Sequence, residues 1–488
     1  MDLISQLPLI VILVPLVASF FIIFSKKNEN IREFWTFAAA IINLFLLVSM
    51  AGWVLDGNAY FFQLKEILPN LNLFLRVDAF GMLFALVAGS LWIVTSIYSM
   101  GYMRPLKEHA QPRFFMCFAL AISATMGVAF SGNLLTMYVF YELLSLSTYP
   151  LVTHHQDQEA RTGGRKYLTY LLSTSIGFVL PAMIITYVLT GTLTFDSAGI
   201  FSDSISHSTL VVLLLLFLFG FAKAGIMPFH GWLPGAMVAP TPVSSLLHAV
   251  AVVKVGVFCV LRVITGIFGI DLLSSTNLST IICVIAGFTV IVSSLIALSQ
   301  DNLKRRLAFS TVGQLSYIVL GAGVATSMAV TGSMLHIAMH AFGKITLFFC
   351  AGAIYVATGK KYISQMTGIG KKMPITMLAF FVGSLSVIGL PLTGGILSKW
   401  LMLNGSLDAS KTWVMVIYLV SSILNAAYFF PIVYKAFFST DEESKFHSFG
   451  EAPLKASLPP ILTAIACVLL FFYSDIFLNF AKLATGAL

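Results

Sequence analysis

Charged side chains are scarce in this sequence. Of its 488 residues only 10% are Asp, Glu, Lys or Arg, whereas 58% are hydrophobic. A soluble globular protein carries about 25% charged residues, because its surface needs polar cover. No soluble fold of this length hides so much apolar surface. The composition excludes a soluble enzyme, a nucleic-acid-binding protein and a disulfide-stapled secreted domain, and it predicts an all-α polytopic membrane protein.

Motifs for redox or nucleotide chemistry are also missing. The five cysteines are far apart in the sequence and form no C-x-x-C pair; they are Cys117, Cys259, Cys283, Cys350 and Cys467. Their spacing fits no iron–sulfur, haem or zinc site, and no phosphate-binding loop or dinucleotide fingerprint occurs. We interpret the cysteines as small core residues. We therefore expect no cofactor, no metal and no catalytic chemistry in this chain itself.

Long apolar stretches are abundant. A helix needs about 20 apolar residues to cross the bilayer, and helices are required because lipid leaves the backbone groups of an open strand unpaired. Fourteen stretches qualify, and we number them spans 1 to 14. Their approximate bounds are 3–24, 34–56, 78–100, 113–131, 133–154, 165–190, 208–229, 237–264, 277–299, 307–326, 328–357, 374–403, 412–438 and 456–481.

The basic residues of the loops lie mostly on one side. Of the 28 Lys and Arg, four lie inside spans. Five belong to loops of one side, which leaves nineteen for the other; the five are Lys65, Arg76, Arg262, Lys411 and Lys482. Because Lys and Arg accumulate in cytoplasmic loops, the richer side is predicted to be cytoplasmic. An even number of spans then puts both termini on the outer, periplasmic side of a plasma (inner) membrane.

The four basic residues inside spans are all lysines: Lys223, Lys254, Lys344 and Lys399. A Lys in the middle of a lipid-facing helix costs about 2.5–3.5 kcal/mol or more, so these side chains are expected to face protein or water. Lys gives up its proton on desolvation more readily than Arg, which favours a proton relay. A position near the membrane interface stays an alternative for Lys254 and Lys399.

Other protonatable groups in the spans are few. Glu142 in span 5 is the one carboxylate placed firmly in mid-membrane, and Lys223 is its expected partner. In span 11, His336, His340 and Lys344 follow one another at four-residue intervals, which places them on one helix face. A single buried His is more often a packing residue, but this series favours a function.

Two features indicate irregular helices. In span 8, His248 and Lys254 are six residues apart, so they share a face only if the helix is locally distorted. Pro228 in span 7 and Pro391 in span 12 each remove a backbone donor and are expected to break or kink the helix. Paired interruptions of this kind mark the binding site in transporters. A kink that serves packing alone is the alternative for each break.

Several motifs combine these residues. They are YELLSLSTY around Glu142, Lys223 followed by PFHGWLP with His230, Trp232 and Pro234, TPVSSLLHA before Lys254, LKRRLAFSTVGQLSYI at 303–318, HAFGK ending at Lys344, and SKW around Lys399. Over residues 113–403 the chain therefore resembles the antiporter-like, proton-translocating membrane subunits of respiratory complex I, Mrp cation/proton antiporters and membrane-bound hydrogenases. The PFHGWLP and TPVSSLLHA pair is the most specific part of this resemblance.

The resemblance implies a particular organisation. Fourteen helices would contain two inverted five-helix repeats, with helices 7 and 12 broken. The implied divisions are residues 1–112 for spans 1 to 3, 113–264 for the first repeat (spans 4 to 8), 277–438 for the second repeat (spans 9 to 13), and 439–488 for a loop and span 14.

The resemblance also implies residue roles. Glu142 and Lys223 would form the ion pair, while His248 and Lys254 would connect the two half-channels. The relay would then continue through His336, His340 and Lys344 to Lys399. Tyr141 and Leu143 stand where the family usually has Trp or Phe beside the Glu, and we expect this to alter local packing only.

The implied function is proton or cation/proton translocation by one subunit of a multi-subunit Mrp-type antiporter, of the D type. The chain stops soon after span 14, unlike the distal complex I subunit, and Lys399 replaces the Glu of the middle one. The alternative is a proton-pumping subunit of an NADH-quinone oxidoreductase or a membrane-bound hydrogenase. Implied partners are other integral membrane subunits, the lipid bilayer, and protons with sodium or potassium, but no nucleic acid.

Two hypotheses from other functional classes stay open. A redox subunit that itself binds quinone would need a quinone pocket and cofactor-bearing partner chains. A purely structural membrane subunit would tolerate substitution of all four buried lysines, and the charge pattern inside the spans argues against it.

Overall fold

All fourteen predicted spans are helical in the computed structural model, which describes residues 3–68, 71–202, 204–439 and 450–487. Spans 1 to 5 are Leu3–Phe24, Glu29–Leu55, Ala79–Met103, Gln111–Ala129 and Leu134–Val152. Span 6 is Gln158–Thr174, a π-turn at Ser175–Val179, and Leu180–Thr190. Spans 9, 10, 11 and 13 are Leu278–Ser299, Leu303–Gly323, Ser327–Thr358 and Thr412–Phe438.

The remaining spans are interrupted or shortened. Span 7 is His207–Gly220 followed by short turns at Ala222–Ala224, Trp232–Gly235 and Ala236–Val238. Span 8 is Thr241–Ser245, a π-turn at Leu246–Val250, Val252–Val263 and a second π-turn at Ile264–Phe268, and the short helix Ile270–Ser275 follows. Span 12 consists of Pro374–Ile388 and Gly395–Asp408; two 3₁₀ turns, Ile363–Gln365 and Ile369–Lys371, precede it. Span 14 is Leu454–Phe472.

Helix ends follow local sequence signals. The side chains of Asp78, Asn133 and Asp157 accept hydrogen bonds from backbone N–H groups in the first turns of spans 3, 5 and 6, which satisfies donors that have no partner within the helix. Spans 6 and 11 end at Gly191 and Gly359, whose φ values of +69° and +71° suit glycine. Local sequence signals thus set these five span boundaries.

Hydropathy separates the spans into two groups. Within the described residues, nine helical segments are long and apolar enough to cross a membrane, and they correspond to spans 1, 2, 3, 4, 6, 9, 11, 13 and 14. Spans 5, 7, 8, 10 and 12 fall outside this group because they are broken, short or polar. Span 11 is the most enclosed of the nine, with 94% of its most apolar window buried. The helices that pack against it belong to spans 3, 8, 10, 12 and 14.

Two cavities show that the loops alternate between two ends of the bundle. A cavity of about 230 Å³ is lined by the loops that follow spans 3, 5, 9 and 11, including Glu108, His155 and Lys361. A second cavity, of about 520 Å³, is lined by segments after spans 2, 6 and 8 and by the chain end near Thr485. This confirms the alternation on which the sorting of basic residues depends.

A β-hairpin is the element that the sequence did not lead us to expect. Strand β1 (Tyr60–Leu68) pairs antiparallel with β2 (Leu71–Val77) between spans 2 and 3. The end of β2 continues its pairing onto the turn between spans 4 and 5, where the Arg76 N–H donates to the Phe130 carbonyl at 2.7 Å. The hairpin lies outside the spans, so the backbone constraint of lipid does not apply to it.

Span 14 is shorter than predicted. The expected bounds of 456–481 include a break, because the helix Leu454–Phe472 ends there and a second helix, Asp475–Ala484, follows. Asp475 begins the second helix, where a carboxylate is favourable near the amino end. The second helix packs against spans 3 and 11.

Arg262 does not lie in a loop, where the charge sorting put it. It is 7% exposed, in the Val252–Val263 helix of span 8. Its guanidinium donates two hydrogen bonds to Asp78, at 2.7 and 2.5 Å, and lies over the rings of Phe80 and Phe258. A buried charge is tolerated here because a bidentate partner and aromatic faces replace water. The buried cations therefore include an Arg as well as lysines.

The division into repeats stays a prediction. Spans 7 and 12, each the fourth span of its proposed repeat, are both broken within the described residues. This equivalence supports the boundaries 113–264 and 277–438.

We predict that Arg262→Ala destabilises the protein by roughly 2–3 kcal/mol, because it leaves Asp78 without its partner; the value is reduced from that of fully buried pairs since Asp78 is 24% exposed. Thermal unfolding of the detergent-solubilised protein measures the change. Arg161→Ala, at an exposed position, is the matched control. Equal melting temperatures for the two variants would contradict the role of the pair.

Candidate functional site

The break in span 7 places Lys223 in the protein interior. The helix ends at Gly220, and Lys223 lies in the 3₁₀ turn Ala222–Ala224 with no solvent exposure. Its Nζ donates to the Tyr141 carbonyl at 2.7 Å and to the Ser145 Oγ at 2.6 Å. The same Nζ is 3.1 Å from the Tyr141 ring centroid. Span 5 thus supplies an acceptor set for this ammonium group.

Glu142 is adjacent to this set but is not bonded to it. Both of its carboxylate oxygens are buried and have no hydrogen-bond partner in the described protein. No Glu142–Lys223 pair occurs within 4.0 Å among the described residues. The predicted ion pair is therefore not formed in this conformation, although the two residues are close enough to interact electrostatically.

The PFHGWLP motif follows the break in span 7 and stabilises it. Trp232 is fully buried, and its Nε1–H donates to the Ala222 carbonyl at 2.9 Å, which fixes the turn that holds Lys223. Pro234 lies in the short helix Trp232–Gly235. The His230 ring lies near Phe309 of span 10, and its buried Nδ1 has no partner among the described residues. Pro228 lies eight residues beyond the end of the helix, so the break begins earlier than predicted.

Span 8 contains the distortion that the spacing of His248 and Lys254 requires. The backbone forms a π-turn at Leu246–Val250, and Ala251 departs from helical geometry with φ −115° and ψ −79°. The side chain of His248 lies outside the described part of the structure. Lys254 is fully buried.

A direct contact connects span 8 to span 11. The Lys254 Nζ is 2.6 Å from the Nδ1 of His340, and both groups are buried. The His340 Nε2 is buried and has no hydrogen-bond partner among the described residues. Because span 8 belongs to the first proposed repeat and span 11 to the second, this contact bridges the two.

The series in span 11 lies on one face, as predicted, and meets span 10. The rings of His336 and His340 stack with centroids 5.9 Å apart. The two nitrogens of His336 are bonded to the Gln314 Oε1 at 3.0 Å and to the Ser398 Oγ at 2.8 Å. His336 thereby connects spans 10, 11 and 12.

Lys344 lies two turns further along the same face. Its Nζ donates to the Ser310 Oγ at 2.8 Å and lies 5.5 Å from the centre of the Phe429 ring. The Tyr428 hydroxyl donates to Ser310 at 2.9 Å, which extends the network to span 13. Lys344 is thus held by the Ser310 hydroxyl and, at 3.5 Å, by the Leu307 carbonyl rather than by a carboxylate.

The break in span 12 supplies the acceptors for Lys399. The first half-helix ends at Ile388, and Lys399 in the second half donates to the carbonyls of Val387 and Ile388, both at 2.9 Å. A cation at a helix carboxyl end is favourable because the last carbonyls have no helical partner. Gly389, with φ +87°, leaves room for the lysine stem, since a Cβ there would lie 2.6 Å from its Cδ.

Several polar residues of this network escaped the prediction. Ser145 and Ser398 are ordinary residues in apolar spans, and nothing in their spacing distinguishes them. Tyr141 was expected to affect packing only, whereas its carbonyl binds Lys223. Ser310, Gln314 and Tyr317 of span 10 recur every three or four residues and line one face. Tyr317 stacks on His336 at 6.1 Å and lies 4.5 Å from the Lys399 Nζ. The periodic polar face of span 10 was the signal that could have revealed this set.

The comparison with protein families decides where the chain belongs. Residues 131–425 match the family described as NADH:quinone oxidoreductase/Mrp antiporter, TM. The chain belongs to this family. The match covers spans 5 to 12 and most of span 13, so it contains every buried lysine described above. It confirms the resemblance seen in the motifs.

Relatives in the family carry different names. NADH-quinone oxidoreductase subunit N of Desulforudis audaxviator is 32% identical over 89% of this chain and 87% of its own length. A probable K(+)/H(+) antiporter component of Rhizobium meliloti, named as an A/B-type subunit, is 32% identical over 80% of this chain. The putative antiporter protein mnhA2 of Staphylococcus haemolyticus is 29% identical over 84%. The chain spans only 38% and 54% of the latter two proteins.

Solved structures confirm the fold. A chain of the Mrp complex from a Dietzia species superposes with a TM-score of 0.88 at 21% identity, covering 100% of this chain and 98% of that one. A chain of the membrane-bound sulfane sulfur reductase, an archaeal respiratory membrane complex, superposes with a TM-score of 0.87 at 24% identity, covering 99% and 97%. The chain is an integral, multi-pass membrane protein of this fold.

We predict that Gly256→Ala disturbs the Lys223 turn. A Cβ at Gly256 would lie 2.1 Å from the Ala224 N and 2.2 Å from the Lys223 carbonyl carbon, so span 8 or the turn must move. The expected result is a destabilisation of about 1–3 kcal/mol, as for overpacked cores, measured by thermal unfolding in detergent. Gly177→Ala is the control, because nothing lies within 4 Å of its Cβ position. Unchanged stability of Gly256→Ala would contradict the close contact.

Proposed function

We propose that this chain translocates protons, or exchanges cations for protons, across the membrane as one subunit of a multi-subunit Mrp-type antiporter. The proton path would comprise Glu142, Lys223, His248, Lys254, His340, His336, Lys344 and Lys399. The single observation that carries the proposal is the 2.6 Å contact between Lys254 and His340. Two protonatable groups that touch inside a membrane protein, remote from each other in sequence, are typical of a proton pathway.

Glu142 and Lys223 would form the switching pair. In the present conformation Lys223 is bonded to Ser145 and the Tyr141 carbonyl, while the Glu142 oxygens have no partner among the described residues. A second conformation, in which the ammonium group moves from Ser145 to Glu142, would satisfy both charges. Alternation between these two acceptors along one helix turn of span 5 would decide when Lys223 keeps its proton and when it releases it.

The Lys254–His340 contact would transfer the proton between the halves. The Lys254 ammonium gives a proton to the Nδ1 of neutral His340, which becomes a cation. His340 then releases the proton on its Nε2, which no other described group occupies, and returns to the neutral form. The stacked His336, whose Nδ1 is hydrogen-bonded to the Ser398 Oγ beside Lys399, would carry the path toward the break in span 12.

The proposed partners rest on the family, and the proposed orientation rests on the distribution of Lys and Arg among the loops. We propose that the chain assembles with other integral membrane subunits in a plasma (inner) membrane, with the lysine-rich loops in the cytoplasm and both termini outside. The D-type assignment rests on the wording of its motifs. Both relatives at 32% identity carry other names, one of the N type and one of the A/B type. The transported cation would be sodium or potassium.

A second candidate function has its own support. The relative matched over 87% of its length is an NADH-quinone oxidoreductase subunit, so this chain is also a candidate proton-pumping subunit of such a complex or of a membrane-bound hydrogenase. Purification of the native complex in mild detergent separates the two. Small hydrophobic antiporter subunits alone would support the Mrp-type assignment, whereas flavin-binding or iron–sulfur subunits would support the respiratory one.

We predict that Lys223→Ala and Glu142→Ala each abolish ion transport while the complex still assembles, and that Lys254→Ala does the same. We expect a loss of about 100-fold or more, the lower range for a positioned proton-transfer group. Proton flux into liposomes that contain the purified complex, followed with a pH-sensitive dye, measures the effect.

The control for these variants is Lys107→Ala, at an exposed loop position. It should transport at the wild-type rate. Normal proton flux in an assembled Lys223→Ala complex would contradict the proposed relay and would support a purely structural role for the chain.

A further inference from the structure

Three imidazoles and a carboxylate meet in two loops at one end of the bundle, outside the spans. Glu108 and His109 belong to the loop between Met103 of span 3 and Gln111 of span 4. His154 and His155 belong to the loop between spans 5 and 6. The pairs are about 45 residues apart, so no spacing motif in the sequence brings them together.

The ligand-capable atoms of this cluster are close to one another. One atom each from Glu108, His109 and His154 lies within 4.8 Å of the other two. The Glu108 carboxylate oxygen is 3.7 Å from the His154 Nε2 and 3.6 Å from the His155 Nδ1. A tetrahedral ion with bonds of about 2.0–2.2 Å separates its ligands by about 3.3–3.6 Å. The Glu108–His154 and Glu108–His155 separations are already close to this range. Rotation of the exposed His109 ring can bring its nitrogen to a similar distance.

His154 supplies an independent sign of a ligand. Its side chain has no solvent exposure, yet neither ring nitrogen has a hydrogen-bond partner among the described residues. A buried imidazole without partners costs free energy unless something binds it. The Arg113 guanidinium donates to the His154 carbonyl at 3.0 Å, which holds the backbone of this residue in place. The His109 and His154 rings lie 4.7 Å apart.

We propose that Glu108, His109 and His154 bind one divalent transition-metal ion of the zinc type, with His155 as a fourth ligand. Imidazole nitrogens with a carboxylate favour zinc over magnesium or calcium, which prefer oxygen ligands throughout.

The ion would connect two loops that adjoin the relay. Glu108 and His109 lie just before span 4, and His154 lies two residues after span 5, the helix that carries Tyr141 and Glu142. A bound ion would fix the end of span 5 against the start of span 4. The site would therefore set the position of the helix on which the proposed Glu142 switch depends, without touching the switch itself.

The test uses the full-length protein in detergent, with any affinity tag removed and metals stripped by a chelator. Zinc chloride is titrated by calorimetry, and zinc X-ray absorption reports the ligands. The expected result is one zinc per chain with imidazole ligands at about 2.0–2.1 Å. His109→Ala and Glu108→Gln, both at solvent-accessible positions, should each weaken binding at least about tenfold, since even outer-sphere partners contribute that much.

His207→Ala is the matched control, because His207 is exposed and lies at the start of span 7, away from the cluster. It should bind zinc as the wild type does. Absence of stoichiometric binding would overturn the proposal. So would unchanged affinity in both His109→Ala and Glu108→Gln, or an equal loss in His207→Ala.

Discussion

The cost of holding an ammonium group away from water governs the interior of this protein. A charged side chain in the membrane is tolerated only when acceptors replace its hydration. Each of the four buried lysines meets this condition differently: Lys223 through a hydroxyl and a carbonyl, Lys254 through an imidazole, and Lys344 through a hydroxyl. Lys399 uses the free carbonyls of a helix end. None of these described acceptors is a carboxylate, so each ammonium group is solvated but not locked in an ion pair.

The irregular backbone follows from the same requirement. The carbonyls at the end of a helix lack a helical partner, so a break in a helix makes additional acceptors available to a lysine. Span 12 ends for Lys399, and span 7 ends where Lys223 turns toward span 5. Spans 8, 10 and 12, three of the five spans that fail a simple hydropathy criterion, supply polar groups to span 11, and the other two, spans 5 and 7, together hold Lys223. Their low hydropathy thus accompanies the buried polar groups.

Much of this could be predicted from residue types, and the rest required tertiary contacts. Span length and apolar runs placed all fourteen helices, and the spacing of His336, His340 and Lys344 placed them on one face. Conversely, Arg262 was assigned to a loop. Its burial could not be foreseen, because its partner Asp78 lies 184 positions away in the sequence. The Lys254–His340 contact joins residues 86 positions apart, and the β-hairpin depends on pairing outside the lipid. Local patterns determine helices, but the identity of a hydrogen-bond acceptor is set by which helices become neighbours.

The burial of span 11 has a consequence for any assembly that contains this chain. Because 94% of its most apolar window is buried within the same chain, the side chains of His336, His340 and Lys344 are shielded from lipid and from neighbouring proteins. A neighbouring subunit in the bilayer could not contact these side chains directly. It could act on them only by shifting the surrounding helices or by altering the electric field across them, so any effect of a partner on span 11 would be mechanical or electrostatic.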